Sequence, residues 1–244
     1  MELNVFRQRF EELTRGWDWE VEGFVDKNDN VYPIDTDTKV ISTVFERLSS
    51  PVLRSIAKEQ GYTVETANQT TYPDFTMTKP GDRIAIDIKT TYRSRSMMMT
   101  LGGYNSFLRN DTKNILYPYS SYQHHWIIGF VSDRNPAFHE YDLDSLPDRG
   151  AIPCPYGDVA YFVAEKHALS GIRAGSGNTK NIGSVKVTSA DQFANGVGPF
   201  SYFQQGKAAC DHYWINYERL SKEIASAAAL LAHPEFARFG PRVD

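Results

Sequence analysis

Cysteine is scarce in this chain: two in 244 residues, Cys154 and Cys210, with no CxxC pair. That excludes a disulfide framework and a thiolate zinc site, and it suits a reducing cytosol. No apolar run approaches the ~20 residues of a membrane span. Met1-Glu2-Leu3-Asn4 lacks the basic-then-apolar order of a signal peptide, so none is expected. Internal repeats and low-complexity segments are absent. There is no Gly-x-Ser-x-Gly elbow and no Walker loop, so neither that hydrolase chemistry nor P-loop phosphate binding is expected. The histidines outside the adjacent pair, His139, His167, His212 and His233, show no metal-ligand spacing.

An excess of positive charge is missing too. The formal net charge is −4, which at first argues against a polyanionic partner. Distribution matters more than the total. Residues 1–30 carry eight acids and four bases, and 132–148 carry five acids and one base. Between them, 89–113 holds Lys89, Arg93, Arg95, Arg109 and Lys113 against only Asp111, and 164–186 holds Lys166, Arg173, Lys180 and Lys186 against Glu165. Two basic segments on an acidic body are compatible with nucleic acid; chance clustering on a solvated surface explains them equally well.

What is present is ordinary globular material, 41% hydrophobic and 23% charged, long enough for one large domain or two small ones. Residues 35–50 read as a helix, capped by Asp35 or Asp37, with Val40, Ile41, Val44, Phe45 and Leu48 as its apolar stripe. Lys39, Thr43 and Glu46 fall on the opposite face. Pro51 reads as the stop, and 51–61 as a second short helix closed by Gly61. Then the period changes. Asp74–Thr78 is a short strand; Arg83–Tyr92 alternates, Ile84, Ile86 and Ile88 pointing one way and Ala85, Asp87 and Lys89 the other. Pro80-Gly81-Asp82 between them is a turn. Further strands are expected at 126–131, 159–163 and 182–187, and a helix over about 211–232. The whole predicts an α+β fold, a mixed sheet flanked by helices.

Two adjacent strands joined at 80–82 bring Asp74 near Asp87 and Lys89. Two carboxylates and an ammonium at that spacing can hold Mg²⁺ against a phosphate, since Mg²⁺ takes oxygen ligands and keeps several waters. Asp74, Asp87 and the carbonyl of Ile88 are the candidate ligands, and Lys89 can reach the phosphate or the attacking water. A same-face surface ion pair between Asp87 and Lys89 remains the plain alternative. Glu46 is a third carboxylate, or simply part of a solvated helix face. His124 and His125, adjacent on a strand, point in opposite directions and read as structural. Ala174-Gly175-Ser176-Gly177-Asn178-Thr179-Lys180-Asn181 is a polar, glycine-rich loop; its Asn178 can pair bidentately with adenine in a major groove, or the loop is ordinary turn chemistry. Ala67-Asn68-Gln69-Thr70-Thr71, just before Asp74, is a second such stretch.

Several stretches together resemble the EcoRV family of type II restriction endonucleases, within the PD-(D/E)xK nuclease superfamily. They are Asp37-Thr38-Lys39-Val40 through Glu46, Tyr72 through Thr76, Ile84 through Tyr92, Thr100 through Pro118, His125 through Gly129 and Ala174 through Ser184. They keep the family's order over roughly residues 32–217. The resemblance implies a restriction endonuclease-like core in one domain over 1–244: an N-terminal dimerisation-type segment (1–32), a catalytic and recognition core (33–210) and a C-terminal helical segment (211–244). It implies a homodimer with a U-shaped cleft for double-stranded DNA. The expected reaction is Mg²⁺-dependent cleavage of both strands at a palindrome, GATATC or a close relative, leaving blunt ends with 5′-phosphates. Mn²⁺ would substitute for Mg²⁺, and Ca²⁺ would support binding without cleavage.

In that frame Asp74, Asp87, Ile88 and Glu46 form the metal site, and Lys89 stabilises charge at the reacting phosphate. Lys39 lies near the scissile region. Gly175, Ser176, Gly177, Asn178, Thr179, Lys180 and Asn181 form the major-groove loop. Gln69 and Thr70 belong to the minor-groove loop, Ser106 contacts phosphate, and Arg93 and Lys113 are further DNA-facing residues. A bacterial cytoplasmic location follows, with a cognate methyltransferase in the same system but no stable complex with it, and no membrane partner. The chain departs from the family's pattern in a shorter spacing between the two Asp residues, and at Thr70, Lys180 and Arg93. A repair or recombination nuclease with the same core, or a DNA-binding protein that does not cut, are the alternatives.

Overall fold

The computed structural model describes residues 1–68, 70–109, 114–138, 152–175 and 180–241. In chain order it holds α1 (Leu3–Thr14), β1 (Gly23–Val25), β2 (Val31–Pro33), α2 (Thr38–Glu59), β3 (Thr63–Thr66), β4 (Phe75–Lys79), β5 (Asp82–Tyr92) and β6 (Thr100–Gly103). After a wide helical turn at Asn105–Arg109 come β7 (His124–Arg134), β8 (Tyr156–Glu165), α3 (Lys166–Leu169), β9 (Ser170–Ala174), β10 (Asn181–Ser184) and α4 (Ala190–Ala194). Three short helices follow, α5 (Gly206–Ile215), α6 (Tyr217–Glu223) and α7 (Ala227–Ala232), and then a 3₁₀ turn at Pro234–Phe239. The architecture is α+β, as the sequence predicts.

The central sheet has the order β3-β4-β5-β7-β8. Its strands pair antiparallel except β5 with β7, which run parallel. The sheet is therefore mixed, with β5 at its centre. Alternation along β5 divides the core. Ile84, Ile86 and Ile88 pack with Phe6, Phe10, Val44, Phe45 and Ile56 of α1 and α2. Ala85 belongs to the cluster on the other face, with Ile127, Phe162, Phe193 and Trp214. A smaller sheet, β6-β10-β9, stands apart from the main one.

Helix α2 differs from its prediction. It runs unbroken through Pro51 instead of ending there. A proline inside a helix costs roughly 3 kcal/mol, because a hydrogen bond is lost and the ring crowds the preceding turn. Beyond Pro51, however, Val52, Leu53, Ile56 and Ala57 are all buried. At roughly 1.5–3 kcal/mol per large apolar side chain removed from water, the burial outweighs the proline. Of the two candidate caps, Asp37 acts: its carboxylate accepts from the backbone N–H of Lys39 at 2.8 Å. The expected helix over 211–232 is three pieces, α5, α6 and α7. Breaks at Asn216 and after Glu223 let Trp214, Leu220, Ile224 and Leu230 all turn inward, where each is fully buried.

Candidate active site

The β4–β5 register sets the geometry. Phe75 pairs with Ile86 and Lys79 with Asp82, so one step outward Asp74 stands opposite Asp87, at the end of the hairpin away from its turn. The Asp74 carboxylate accepts a 2.6 Å hydrogen bond from the Ile88 N–H. Lys89 forms an ion pair with Asp87 and donates to the Ile88 carbonyl at 3.0 Å. Asp87 is 4% exposed, so this is no surface pair. Two carboxylates, one peptide carbonyl and one ammonium thus converge on Ile88.

Glu46 reaches the same place from α2. It lines a cleft of about 560 Å³ together with Asp74, Asp87 and Lys89. Among the described residues, no three His, Cys, Asp or Glu side chains are gathered tightly enough to hold a metal ion. Glu46 therefore faces the pair of aspartates across the cleft instead of completing a three-acid cluster with them. Tyr92 OH donates to the Thr36 carbonyl at 2.8 Å, which ties the approach to α2 to the end of β5.

The charges in the cleft are unbalanced. Burial, then the neighbouring charge of Asp87, raises the Asp74 carboxyl well above the ordinary range, against the pull of Lys89. Burial also raises Glu46, with Lys89 opposing and Asp87 adding. For Lys89, burial alone would lower the ammonium, but Asp87 and Asp74 overcome it and hold it above its usual value. Lys89, with Arg47 acting on Glu46, is set against three acids. The donor set is all oxygen, and the Lys89 ammonium already sits against Asp87 and the Ile88 carbonyl. A hard divalent ion fits this environment.

Behind the cleft wall lies an unexpected group. Lys166, in the second basic segment of the sequence, is 2% exposed, and its Nζ has no hydrogen-bond partner. It sits over the rings of Tyr72, Tyr119 and Phe107, at 4.5, 5.1 and 5.5 Å from their centroids. Burial lowers its pKa to about 8, with Asp87 the largest opposing influence. His125 is buried beside it, stacked 3.9 Å from Tyr119 and bonded through Nδ1 to Tyr72 OH at 2.7 Å. His124, on the opposite face of β7, meets Glu165 at 3.1 Å. Both histidines are held by neighbouring side chains, on opposite faces of the strand as the alternation predicts.

The other predicted residues scatter. Lys39 is exposed on the first turn of α2. Thr70 lines the cleft with a left-handed φ of 69°. Ser106 lies in the helical turn after β6, half-buried. Arg93 is engaged by Asp133 at 3.0 Å and by Asp158 at 2.9 Å, so part of the first basic segment is neutralised by distant acids. Gly175 and Asn181 form the root of the β9–β10 hairpin, the Gly175 N–H donating to the Asn181 carbonyl at 3.0 Å. A Cβ at Gly183 would stand 2.5 Å from the Arg173 carbonyl oxygen, so only glycine permits this close approach. Lys180, at φ 49°, pairs with Glu218 at 3.5 Å, and Arg109 holds the same carboxylate at 2.8 Å. Tyr217 OH accepts from the Ala174 N–H at 3.0 Å. Helix α6 thus braces the hairpin root. Gln69, Lys113, Ser176, Gly177, Asn178 and Thr179 lie outside the described residues. Thr43, Arg47, Tyr72 and Phe107 also line the cleft. Thr43, Tyr72 and Phe107 fall within the stretches that carry the family resemblance, with no role assigned there; for Arg47 only the helical period, which groups it with Thr43 near Glu46, offered a signal.

The profile described as "Restriction endonuclease EcoRV" matches residues 15–239. The chain is 43% identical over 215 residues to the type II restriction enzyme EcoRV of Escherichia coli, with 84% of each chain covered. The chain belongs to the EcoRV restriction endonuclease family. It is a site-specific deoxyribonuclease of type II. The match extends beyond residues 32–217 at both ends: it starts just after α1, takes in β1 and reaches through the C-terminal helices. Among solved structures, Hjc, a Holliday junction resolvase from Archaeoglobus fulgidus, aligns with a TM-score of 0.29 and 12% identity. It covers 59% of this chain and 83% of that one, too weak a likeness to carry an argument. No helix among the described residues is long and apolar enough to cross a membrane.

Proposed function

We propose that this endonuclease cuts both strands of double-stranded DNA at GATATC or a closely related palindrome, leaving blunt ends with 5′-phosphates, and that it uses Mg²⁺. The observation that carries the reading is the convergence of Asp74, Asp87 and Lys89 around Ile88. Asp74, Asp87 and the Ile88 carbonyl would hold the ion, with Glu46 facing it across the cleft. A divalent cation, when bound, supplies the positive charge that carboxylates and phosphate together lack, and it acidifies water. The Lys89 ammonium, held in place by Asp87 and the Ile88 carbonyl, presents its remaining N–H donors to the reacting phosphate. Burial favours the protonated form of Asp74, so holding a cation there would be coupled to loss of a proton. Mn²⁺ would take the same oxygen ligands, and Ca²⁺ would support DNA binding without cleavage.

A homodimer matches a palindrome, with one site for each strand. Trp17, Phe24, Val25 and Tyr32, exposed large apolar side chains on and beside the β1–β2 hairpin, support this state. The loop at the tip of the β9–β10 hairpin would read the major groove through Ser176, Asn178 and Thr179, and Gln69 with Thr70 the minor groove. A central TA step, easily kinked, would add specificity through its deformation. Ser106, Lys113 and Lys39 would meet the backbone. In the cell the partner activity would be a methyltransferase of the same specificity, in the bacterial cytoplasm.

Digestion of a DNA of known sequence with Mg²⁺, followed by sequencing of the ends, tests the reading. One palindrome at every blunt cut supports it. Cuts placed by DNA structure and not by sequence would favour a repair-type nuclease. The raised carboxyls set a second expectation. Protons compete with the cation at Asp74 and Glu46, so the Mg²⁺ concentration for half-maximal cleavage should rise as pH falls from about 8 to about 6. A requirement that stays flat over that range counts against the carboxylate site.

A further inference from the structure

We propose that Arg47 contacts a backbone phosphate of bound DNA beside the reacting one, as a substrate-binding residue of this endonuclease. The inference rests on the reading of Asp74, Asp87 and Lys89 as the cutting site. Arg47 lines the same cleft as those three residues, together with Thr43 and Glu46. Thr43 and Arg47 are four residues apart on α2, so they share one face of the helix. Side chains on a helix lean toward its N-terminus, which carries the guanidinium over the turn bearing Thr43.

The arginine is also free of ion pairs among the described residues. Arg9, Arg93, Arg109 and Arg219 each form an ion pair with a carboxylate. Arg47 is exposed and makes no ion pair among the described residues. Its charge reaches Glu46 enough to oppose the effect of burial there. A chain with a net charge of −4 thus leaves a fork of N–H donors uncommitted at the mouth of an acidic cleft. Such a fork matches phosphate oxygens, and a phosphate lying against the cleft would otherwise meet mainly carboxylates.

Arg54 provides an internal control. It lies two turns further along α2, is exposed and equally free of an ion pair among the described residues, and does not line the cleft. The test compares wild type with Arg47→Gln, Arg47→Lys and Arg54→Gln. Binding to a DNA duplex is measured in Ca²⁺ over a series of salt concentrations, alongside melting temperature. Arg47→Gln should bind roughly ten- to hundredfold more weakly. The slope of log affinity against log salt should shrink by about one per subunit, the signature of one lost phosphate contact. Melting should be unchanged, Arg47→Lys should recover the slope, and Arg54→Gln should leave both affinity and slope near wild type. An unchanged slope in Arg47→Gln, or an equal loss in Arg54→Gln, would overturn the assignment. If the wild type fails to cleave DNA with any divalent ion, the cutting-site reading fails, and the slopes still decide the role of Arg47.

Discussion

Asp74→Asn is expected to lose cleavage by a factor of at least roughly 10²–10³ and yet to melt at a higher temperature than wild type in divalent-free buffer. Both outcomes have one cause. Asn keeps the shape and an oxygen that can accept from the Ile88 N–H, but it removes one of the negative charges that repel one another across the cleft. The sign of the pH dependence follows from the raised Asp74 carboxyl. The folded protein binds a proton there more tightly than the unfolded chain does. Ionising Asp74 therefore lowers stability as pH rises, and the native state is free of this cost at acidic pH. The melting difference between variant and wild type should grow from acidic to neutral pH. Each kcal/mol corresponds to about 2–4 °C in a chain of this size. Divalent ion should reverse the order, because it stabilises wild type by mass action and has a poorer site in the variant. A variant that melts below wild type without metal would show that like-charge repulsion does not govern the site.

Lys166→Met should stabilise the protein by about 1–3 kcal/mol near neutral pH. The Lys166 ammonium is buried without a hydrogen bond, and its pKa falls from 10.5 to about 8. At 1.36 kcal/mol per tenfold change in proton affinity, that is a cost of about 3 kcal/mol, offset in part by cation–π attraction to Tyr72, Tyr119 and Phe107. Below pH 8 both the folded and unfolded states carry the proton, so the full penalty applies. Between about 8 and 10.5 the folded state sheds it first, and above that range the penalty is gone. Methionine fills a similar volume and suits aromatic neighbours. Chemical denaturation at about pH 7 and about pH 10.5 checks the claim: the gain should be present at the first and absent at the second. An equal gain at both would mean that packing, not charge, is responsible.

The parts of this molecule that could be read from sequence are those where local pattern and tertiary contact agree. The alternation of Ile84, Ile86 and Ile88, the turn at Pro80-Gly81 and the placement of Asp74 opposite Asp87 follow from a period of two and a short connection. Where tertiary packing overrides local preference, the sequence misleads. Pro51 reads as a helix end because nothing nearby reveals that Val52, Leu53 and Ile56 have a sheet to cover. Lys166 reads as surface charge because the rings that enclose it, Tyr72, Phe107 and Tyr119, lie far from it in the chain. Arg93 reads as a free cation for the same reason: Asp133 and Asp158 are 40 and 65 residues away.

The β4–β5 hairpin has a chemical end and a silent end. Asp74 and Asp87 oppose each other at one, while Pro80 and Gly81 form an exposed turn at the other, where a Cβ on Gly81 would meet nothing within 4 Å. Residues inserted or deleted at that tip change the number of positions between the two acids without changing which residues face each other. Sequence spacing between these aspartates is therefore a poor ruler for comparing relatives, and strand register is the better one. The same tip is a natural point for attaching a fluorophore or an affinity tag, since a label there hangs in solvent at the far end of the hairpin from the paired aspartates.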